Sequence, residues 1–268
     1  MRAEYEDLQT GARRRDEPFA GAQPLTLRLA GIEVVNETGA RIIAQVGQAL
    51  ERGEPVKLAF LNAHCVNLAR QDRAYREALA SCRVLPDGVG VDIGARIIHG
   101  RFFVENLNGT DFVPRLFAEI ETPLKVALVG GRPGVAERAA RTLKAQTPRH
   151  AFVAVSDGYF GEAGRDRVLS TLEADGGFDV VLVAMGVPAQ ELFMNLHLNV
   201  GHGRILIGVG ALFDFLAGNV ARAPLAVRKV RLEWVWRMGL EPSRLWRRYV
   251  LGNPRFLAGI LKDRLGGS

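Results

Sequence analysis

Four apolar runs of about one strand length, residues 56–61 (VKLAFL), 124–129 (LKVALV), 180–185 (VVLVAM) and 205–209 (ILIGV), each end at a small or polar residue and lead into a stretch of helical character. Runs without polar alternation suit strands buried on both faces, and strands that take turns with helices need crossover connections, which is how parallel sheets are built. A short extended piece at 83–86, another at 152–155 and a possible hairpin at 25–35 complete the strand signals. The expected fold class is α/β: a Rossmann-like, doubly wound, mainly parallel sheet. Such sheets take their ligands at the carboxyl ends of the strands, where the glycine-bearing loops of this chain fall.

After Gly218 the strand signals stop and the charge changes. The net charge of the whole chain is +6; residues 222–264 hold eleven Lys or Arg against three acids, a local +8, which leaves about −2 for the rest. All three tryptophans, Trp234, Trp236 and Trp246, lie in the same segment. Two helical stretches are expected there, 222–238 and 243–261, the second kinked at Pro254. Tryptophan favours the boundary of headgroups and hydrocarbon, and cations add attraction to anionic lipid, so the segment reads as a helical, membrane-associating appendage with Trp234, Trp236, Trp246, Arg248 and Arg255 at the surface. The competing account is a helical pair packed on the core. Nucleic acid is ranked well below lipid, because no RNA- or DNA-binding module accompanies the charge.

The chain divides on this reading into a disordered tail (1–24), a catalytic α/β domain (25–221) and the basic appendage (222–268). No stretch reaches the roughly 18 apolar residues of a spanning helix, and the tail lacks the apolar core of a secretion signal. The expectation is a cytoplasmic protein held peripherally on the inner face of the plasma membrane. Cys65 and Cys82 have no partners at metal-ligand spacing and read as small buried side chains.

Several strand ends carry polar groups that suit chemistry. Gly130-Gly131-Arg132-Pro133-Gly134 precedes a helix, so backbone and helix dipole together suit a diphosphate, although neither a dinucleotide fingerprint nor a P-loop lysine is present. Asp87-Gly88 is either a general base aimed into a cleft or a plain turn, and local sequence alone favours the turn. Asn62 and the pair Gln190-Glu191 can cap helices or bind sugar hydroxyls.

The order of the motifs adds what single residues do not. Asn62-Ala63, Leu85-Pro86-Asp87-Gly88, Gly109-Thr110-Asp111, Gly130-Gly131, Asp157-Gly158-Tyr159-Phe160, Gly186-Val187-Pro188-Ala189-Gln190-Glu191, Gly208-Val209-Gly210, Arg222-Ala223-Pro224, Leu232-Glu233-Trp234 and Glu241-Pro242-Ser243-Arg244 occur in sequence. Together, over about residues 25–258, they resemble the WecG/TagA/CpsF glycosyltransferases. That resemblance implies an inverting, metal-independent transfer from a UDP-sugar to a sugar on a polyprenyl (undecaprenyl) diphosphate. It also implies Asp87 as base, Asn62 and Gln190 as polar active-site groups, and Arg237, Arg244 and Arg247 on the departing UDP. Gly130, Gly131, Asp157, Tyr159, Gly186, Gln190, Glu191 and Asp214 would lie around the nucleotide-sugar.

Three positions depart from the family pattern: Phe60 stands for a usual Thr, Asn106 for a usual Arg and Ala189 for a frequent Lys. Altered sugar specificity is the favoured consequence. The alternative is a catalytically weakened UDP-sugar-binding subunit that scaffolds a polysaccharide assembly complex. Self-association is left open, since it covers apolar surface as readily as lipid does.

Overall fold

Apolar residues along each central strand divide strictly by parity. In the strand at Lys125–Gly130, Val126 and Leu128 point to one face while Ala127 and Val129 point to the other, and the strand at Phe178–Ala184 repeats this with Val180 and Leu182 against Val181 and Val183. Both faces are therefore apolar and both must be covered, as period-two geometry requires of a sheet sandwiched between helices. The computed structural model describes residues 25–224, 227, 233–240 and 242–266. The predicted tail at 1–24 lies outside the described residues.

Eight strands form one sheet in the order β1-β2-β4-β3-β8-β7-β5-β6. They are β1 (Thr26–Leu29), β2 (Ile32–Val35), β3 (Val56–Leu61), β4 (Arg83–Pro86), β5 (Lys125–Gly130), β6 (Ala151–Ser156), β7 (Phe178–Ala184) and β8 (Gly203–Gly208). Only β1 pairs antiparallel, with β2, through the two-residue turn Ala30-Gly31, whose residues both have positive φ (52° and 80°) as a tight hairpin of this hand requires. The doubly wound α/β fold read from the sequence is thus the observed one.

On one face lie α1 (Gly39–Arg52), α5 (Gly109–Glu119), α6 (Val135–Gln146) and α9 (Leu212–Leu216). The other face carries α2 (Ala63–Ala69), α3 (Arg73–Ala80), α4 (Val89–His99), α7 (Glu162–Glu173) and α8 (Ala189–Leu196). Short polar side chains start several helices as their sequence suggests: Asn62, Asp72 and Asn108 each accept backbone N–H bonds from the first turn of α2, α3 and α5.

The C-terminal segment holds α10 (Glu233–Leu240), α11 (Pro242–Trp246), a π-turn (Arg247–Leu251) and α12 (Gly252–Leu265). The break predicted at Pro254 is found just before it. Proline at the third position of α12 has no N–H to offer the preceding turn, and the wider π-turn ends where it begins. No described helix is long and apolar enough to cross a membrane.

The boundary drawn at residue 222 does not coincide with an edge of the core. Phe256 and Ile260 of α12 are buried in the same cluster as Leu29, Val91 and Ala95. Gly94 of α4 makes the seat, since a Cβ there would come within 2.9 Å of the Phe256 ring and 3.0 Å of Leu29. The Arg70–Asp263 ion pair and a 2.8 Å bond from Asn67 Nδ2 to the Gly252 carbonyl fix α12 along α2. Loss of a ring this deeply buried costs about 3–5 kcal/mol when no collapse fills the space. Phe256→Ala is accordingly expected to lower the unfolding free energy by that amount, read in urea as a lower midpoint with m unchanged; an unaltered midpoint would mean that α12 is not part of the cooperative core.

Candidate functional site

A cleft of about 1670 Å³ opens along the carboxyl edge of the sheet, walled on its far side by the C-terminal helices. Strand order fixes the order of its chemistry. Asp87 follows β4, Asn62 follows β3, Gly208 and Gly210 flank the end of β8, Gly186 follows β7, Gly131 follows β5 and Tyr159 follows β6. From β4 to β5 there are four strand steps, roughly 19 Å at about 4.8 Å each, so Asp87 and the glycine loop occupy different parts of one long groove.

Asp87 lines the cleft on a loop held from three sides. Its N–H donates to the Leu61 carbonyl at 2.8 Å, and the Leu107 N–H closes on the Pro86 carbonyl at 2.7 Å. The third hold is Asn106, which grips the next peptide by both edges: its Oδ1 accepts from Gly88 N at 2.8 Å and its Nδ2 donates to Gly88 O at 3.0 Å, with Asp92 Oδ2 a further acceptor at 3.2 Å. The residue that departs from the family pattern is therefore a clamp on the Asp87 loop. Phe60, the second departure, fills the floor beneath α5, with its ring edge-on to Phe112 at 6.0 Å and against Gly109, where a Cβ would lie only 3.0 Å away. Asn62 also lines the cleft; its Oδ1 is taken by the N–H groups of His64 and Cys65 at 3.1 and 3.2 Å.

Gln190 and Glu191 separate in role. Gln190 reaches the cleft, its Oε1 accepting from Gly210 N at 2.9 Å and its Nε2 donating to Glu191 at 2.7 Å. A Cβ at Gly208 would sit 2.9 Å from that Nε2, so glycine makes room for the amide. Glu191, expected at the nucleotide-sugar, is fully buried and does not line the cleft. It faces inward, near Cys65, Tyr75 and Cys82, where burial pushes both thiols up to about 11. Burial likewise lifts the Glu191 carboxyl from 4.5 to about 7, while the bond from Gln190 pulls the other way.

The far end of the groove is built by the glycine loop. Gly130 itself is packed beneath it, at φ +121° and so close to the Ala184 backbone that a Cβ would collide; Gly131 donates to the Ala184 carbonyl at 2.8 Å and presents its backbone to the cleft. Tyr159 stands over this end, 75% exposed. Asp157 is not in the lining, but its Oδ1 accepts from Tyr159 N at 2.8 Å and so shapes the turn that carries the ring. Asp214 lines the cleft in a chain with Asn219 and Arg138, linked by bonds of 3.1 Å each. Arg138 and Asn219, also in the lining, were not named from the sequence, and Arg132 and Thr110 entered only as members of their motifs. The signal for Arg138 and Asn219 was position, in the first turn of the helix after the glycine loop and just after a short helix.

At the C-terminal wall Arg247 lines the cleft, its guanidinium 5.6 Å from the Trp246 ring. Arg248 and Arg255, assigned from sequence to the lipid surface, line the cleft as well. The side chains of Arg237 and Arg244 lie outside the described residues, as do Leu232 and Glu241. Trp234 and Trp236 are half-buried, one against Tyr249 at 5.6 Å and the other donating to the Ala221 carbonyl, whereas Trp246 is 43% exposed. Arg222 pairs with Asp111 at 2.7 Å over the Phe215 ring, tying the start of the segment to α5. His64 faces this wall, and burial together with Arg248 lowers its pKa to about 4, so it is neutral near pH 7. Among the described residues no three His, Cys, Asp or Glu gather as metal ligands.

A long groove at the carboxyl edge of a parallel sheet, lined by a carboxylate and by a glycine loop, is where a doubly wound α/β protein takes its ligands. The chain belongs to the WecG/TagA/CpsF family of glycosyl transferases, whose model matches residues 27–268. It is 31% identical over 209 residues to the N-acetylglucosaminyldiphosphoundecaprenol N-acetyl-beta-D-mannosaminyltransferase of Bacillus subtilis (strain 168), covering 77% of this chain and 79% of that protein. The protein of the same name from Bacillus spizizenii is 31% identical over 196 residues, 72% of this chain and 74% of its own length.

The Glu191 carboxyl gives a pH test of this site. A carboxyl whose folded value lies above its unfolded one stabilises the fold fully below about pH 4.5, and that contribution is lost as pH rises through 7, in all about 3 kcal/mol at 1.36 kcal/mol per pH unit. Glu191→Gln keeps an acceptor for Gln190 and removes the ionisation. Denaturant titrations of the two proteins at pH 5 and pH 8 are expected to show the variant gaining on the parent at pH 8; identical pH dependence would mean that Glu191 is not buried.

Proposed function

We propose that the chain is an inverting glycosyltransferase moving a sugar from a UDP-sugar to a sugar carried on a polyprenyl diphosphate, in the synthesis of a cell-surface polysaccharide. The arrangement that carries the reading is the separation of Asp87 from the glycine loop along one groove. It leaves room for an extended nucleotide-sugar whose anomeric carbon lies toward Asp87 while its nucleotide lies at Gly131, Tyr159 and Asp214. The names of the two Bacillus relatives support a lipid-diphosphate acceptor.

In this mechanism the Asp87 carboxylate takes the proton of the acceptor hydroxyl as its oxygen attacks the anomeric carbon from the face opposite UDP. The new carbon–oxygen bond forms, the bond to the phosphate oxygen breaks, and UDP departs with that electron pair. Arg247, joined by Arg237 and Arg244, meets the charge that develops on UDP, and no metal or other cofactor is required. Gln190, locked by Glu191 and Gly210, and Asn62 hold the sugars between the two ends. The Asn106 clamp on Gly88 favours turnover over the scaffold reading, because it restrains the base through different chemistry from the arginine usual in the family. The enzyme would work peripherally at the cytoplasmic membrane face, where such acceptors are held.

Asp87→Asn keeps shape and removes the base. Its turnover with a UDP-sugar and a short-chain lipid-diphosphate acceptor is expected to fall by about 10²–10⁴, the range for general-base loss, with UDP affinity retained. Undiminished turnover in that variant would take Asp87 out of the mechanism.

A further inference from the structure

At Asn62, which strand order places between Asp87 and the glycine loop, the groove opens toward α2 and the C-terminal wall, whose residues line the same cleft, and this arm has its own chemistry. On the wall Arg248, Leu251 and Arg255 follow at i, i+3 and i+7, and all three line the cleft; Asn67 and Gln71, in and just after α2, face them. The wall is fixed at this point, because Asn67 Nδ2 bonds the Gly252 carbonyl at 2.8 Å and Arg70 pairs with Asp263.

Among the described residues no carboxylate pairs with Arg248 or Arg255, and the buried Nε of Arg248 has no hydrogen-bond partner. Arg248 lies close enough to help hold His64 neutral. Two cations on one face of a partly closed arm, with amide groups opposite, form a site for a compact dianion, since planar guanidinium forks match phosphate oxygens. On this layout UDP is assigned to Arg247 and the glycine loop, which leaves Arg248 and Arg255 for a second anion. The mouth of the arm is apolar: Leu251 is 57% and Val250 52% exposed, next to Trp246.

We infer that Arg248 and Arg255 hold the diphosphate of the lipid-linked acceptor, and that its hydrocarbon chain leaves the cleft over Leu251 and Val250. This rests on the transferase reading above and adds the acceptor's subsite to it. Donor and acceptor then meet near Asp87 in one cleft, with the donor nucleotide toward the glycine loop and the acceptor diphosphate and lipid toward the C-terminal wall. The arginines at 247 and 248, adjacent in sequence, serve two different diphosphates.

The test uses the full chain, a water-soluble N-acetylglucosaminyl diphosphate ester of a short alkyl alcohol, and no membrane. In Arg248→Ala and Arg255→Ala the acceptor KM is expected to rise by about tenfold or more each, the scale of one charge-assisted hydrogen bond, while the Kd for UDP stays put and Arg248→Lys recovers part of the loss. Arg52→Ala, on the exposed end of α1, controls for net charge. An unchanged acceptor KM overturns the proposal. So does a UDP Kd that rises by the same factor, which would place these arginines on the leaving group. Normal kinetics with the soluble ester but weakened binding to anionic vesicles would assign them to phospholipid headgroups instead. Calorimetric titration of the ester into UDP-loaded protein keeps the two readings apart. Ester binding that the alanine variants lose upholds the subsite even if no UDP-sugar is turned over, and a parent protein that does not bind the ester refutes it.

Discussion

The C-terminal wall of the groove is seated on the core through one close contact, the Phe256 ring on Gly94. A side chain at residue 94 would push α12 off the core, and with α12 would go the π-turn and the arginines ahead of it. Half of the site is made by strand ends, which a parallel sheet positions without further help. The other half is made by a helix that reaches the sheet only through its own buried face. Burying Phe256 and Ile260 therefore does two things with the same area: it closes the core over Leu29 and Val91, and it sets the wall of the cleft.

Inside the groove, the polar groups nearest the reacting centre are held by the backbone rather than by one another. Gln190 is fixed through Gly210, Asn62 through the first turn of α2, and the Asp87 loop through the peptide of Gly88. Asn62 spends its Oδ1 on these bonds, while Gln190 and Asn106 use both edges of their amides, so orientation is settled before a ligand arrives. That is the preorganisation on which electrostatic catalysis relies. Glu191 extends the scheme into the core. A buried carboxyl with one neutral amide partner is costly in its charged form, and the same desolvation that lifts its pKa strengthens its bond to Gln190.

The sheet was legible in the sequence because its strands are short, apolar on both faces and punctuated by glycine; Asp87, Asn62 and Gln190 were legible only through the order of the motifs and the family resemblance it carries, since local sequence alone favoured a plain turn at Asp87. The hidden parts all depend on what a side chain meets across the fold. The helical stretch expected at 243–261 does not name its partner, and its α12 part turns Phe256 and Ile260 to α2 and α4. Glu191 is adjacent to Gln190 in sequence, yet helical geometry turns it some 100° away and into the core. Trp234 and Trp236 carried a lipid signature by composition, and they are engaged with Tyr249 and the Ala221 carbonyl. Asn106 looked like a lost cation; its replacement function, gripping a peptide, depends on a distance that no spacing rule contains.

The π-turn at Arg247–Leu251 sets a phase. An ordinary helix advances about 100° per residue, and a π-turn takes one residue more to go round, so residues before and after it stand in an angular relation that straight helix would not give. Here the residues after it are the anchor, Phe256 and Ile260, and those within it are the cations, Arg247 and Arg248. Deleting a single residue from this turn would leave composition, charge and apolar content almost untouched while closing it to an ordinary turn and removing the angular offset between the cations and the anchor. Length, more than residue type, is the property this stretch must keep.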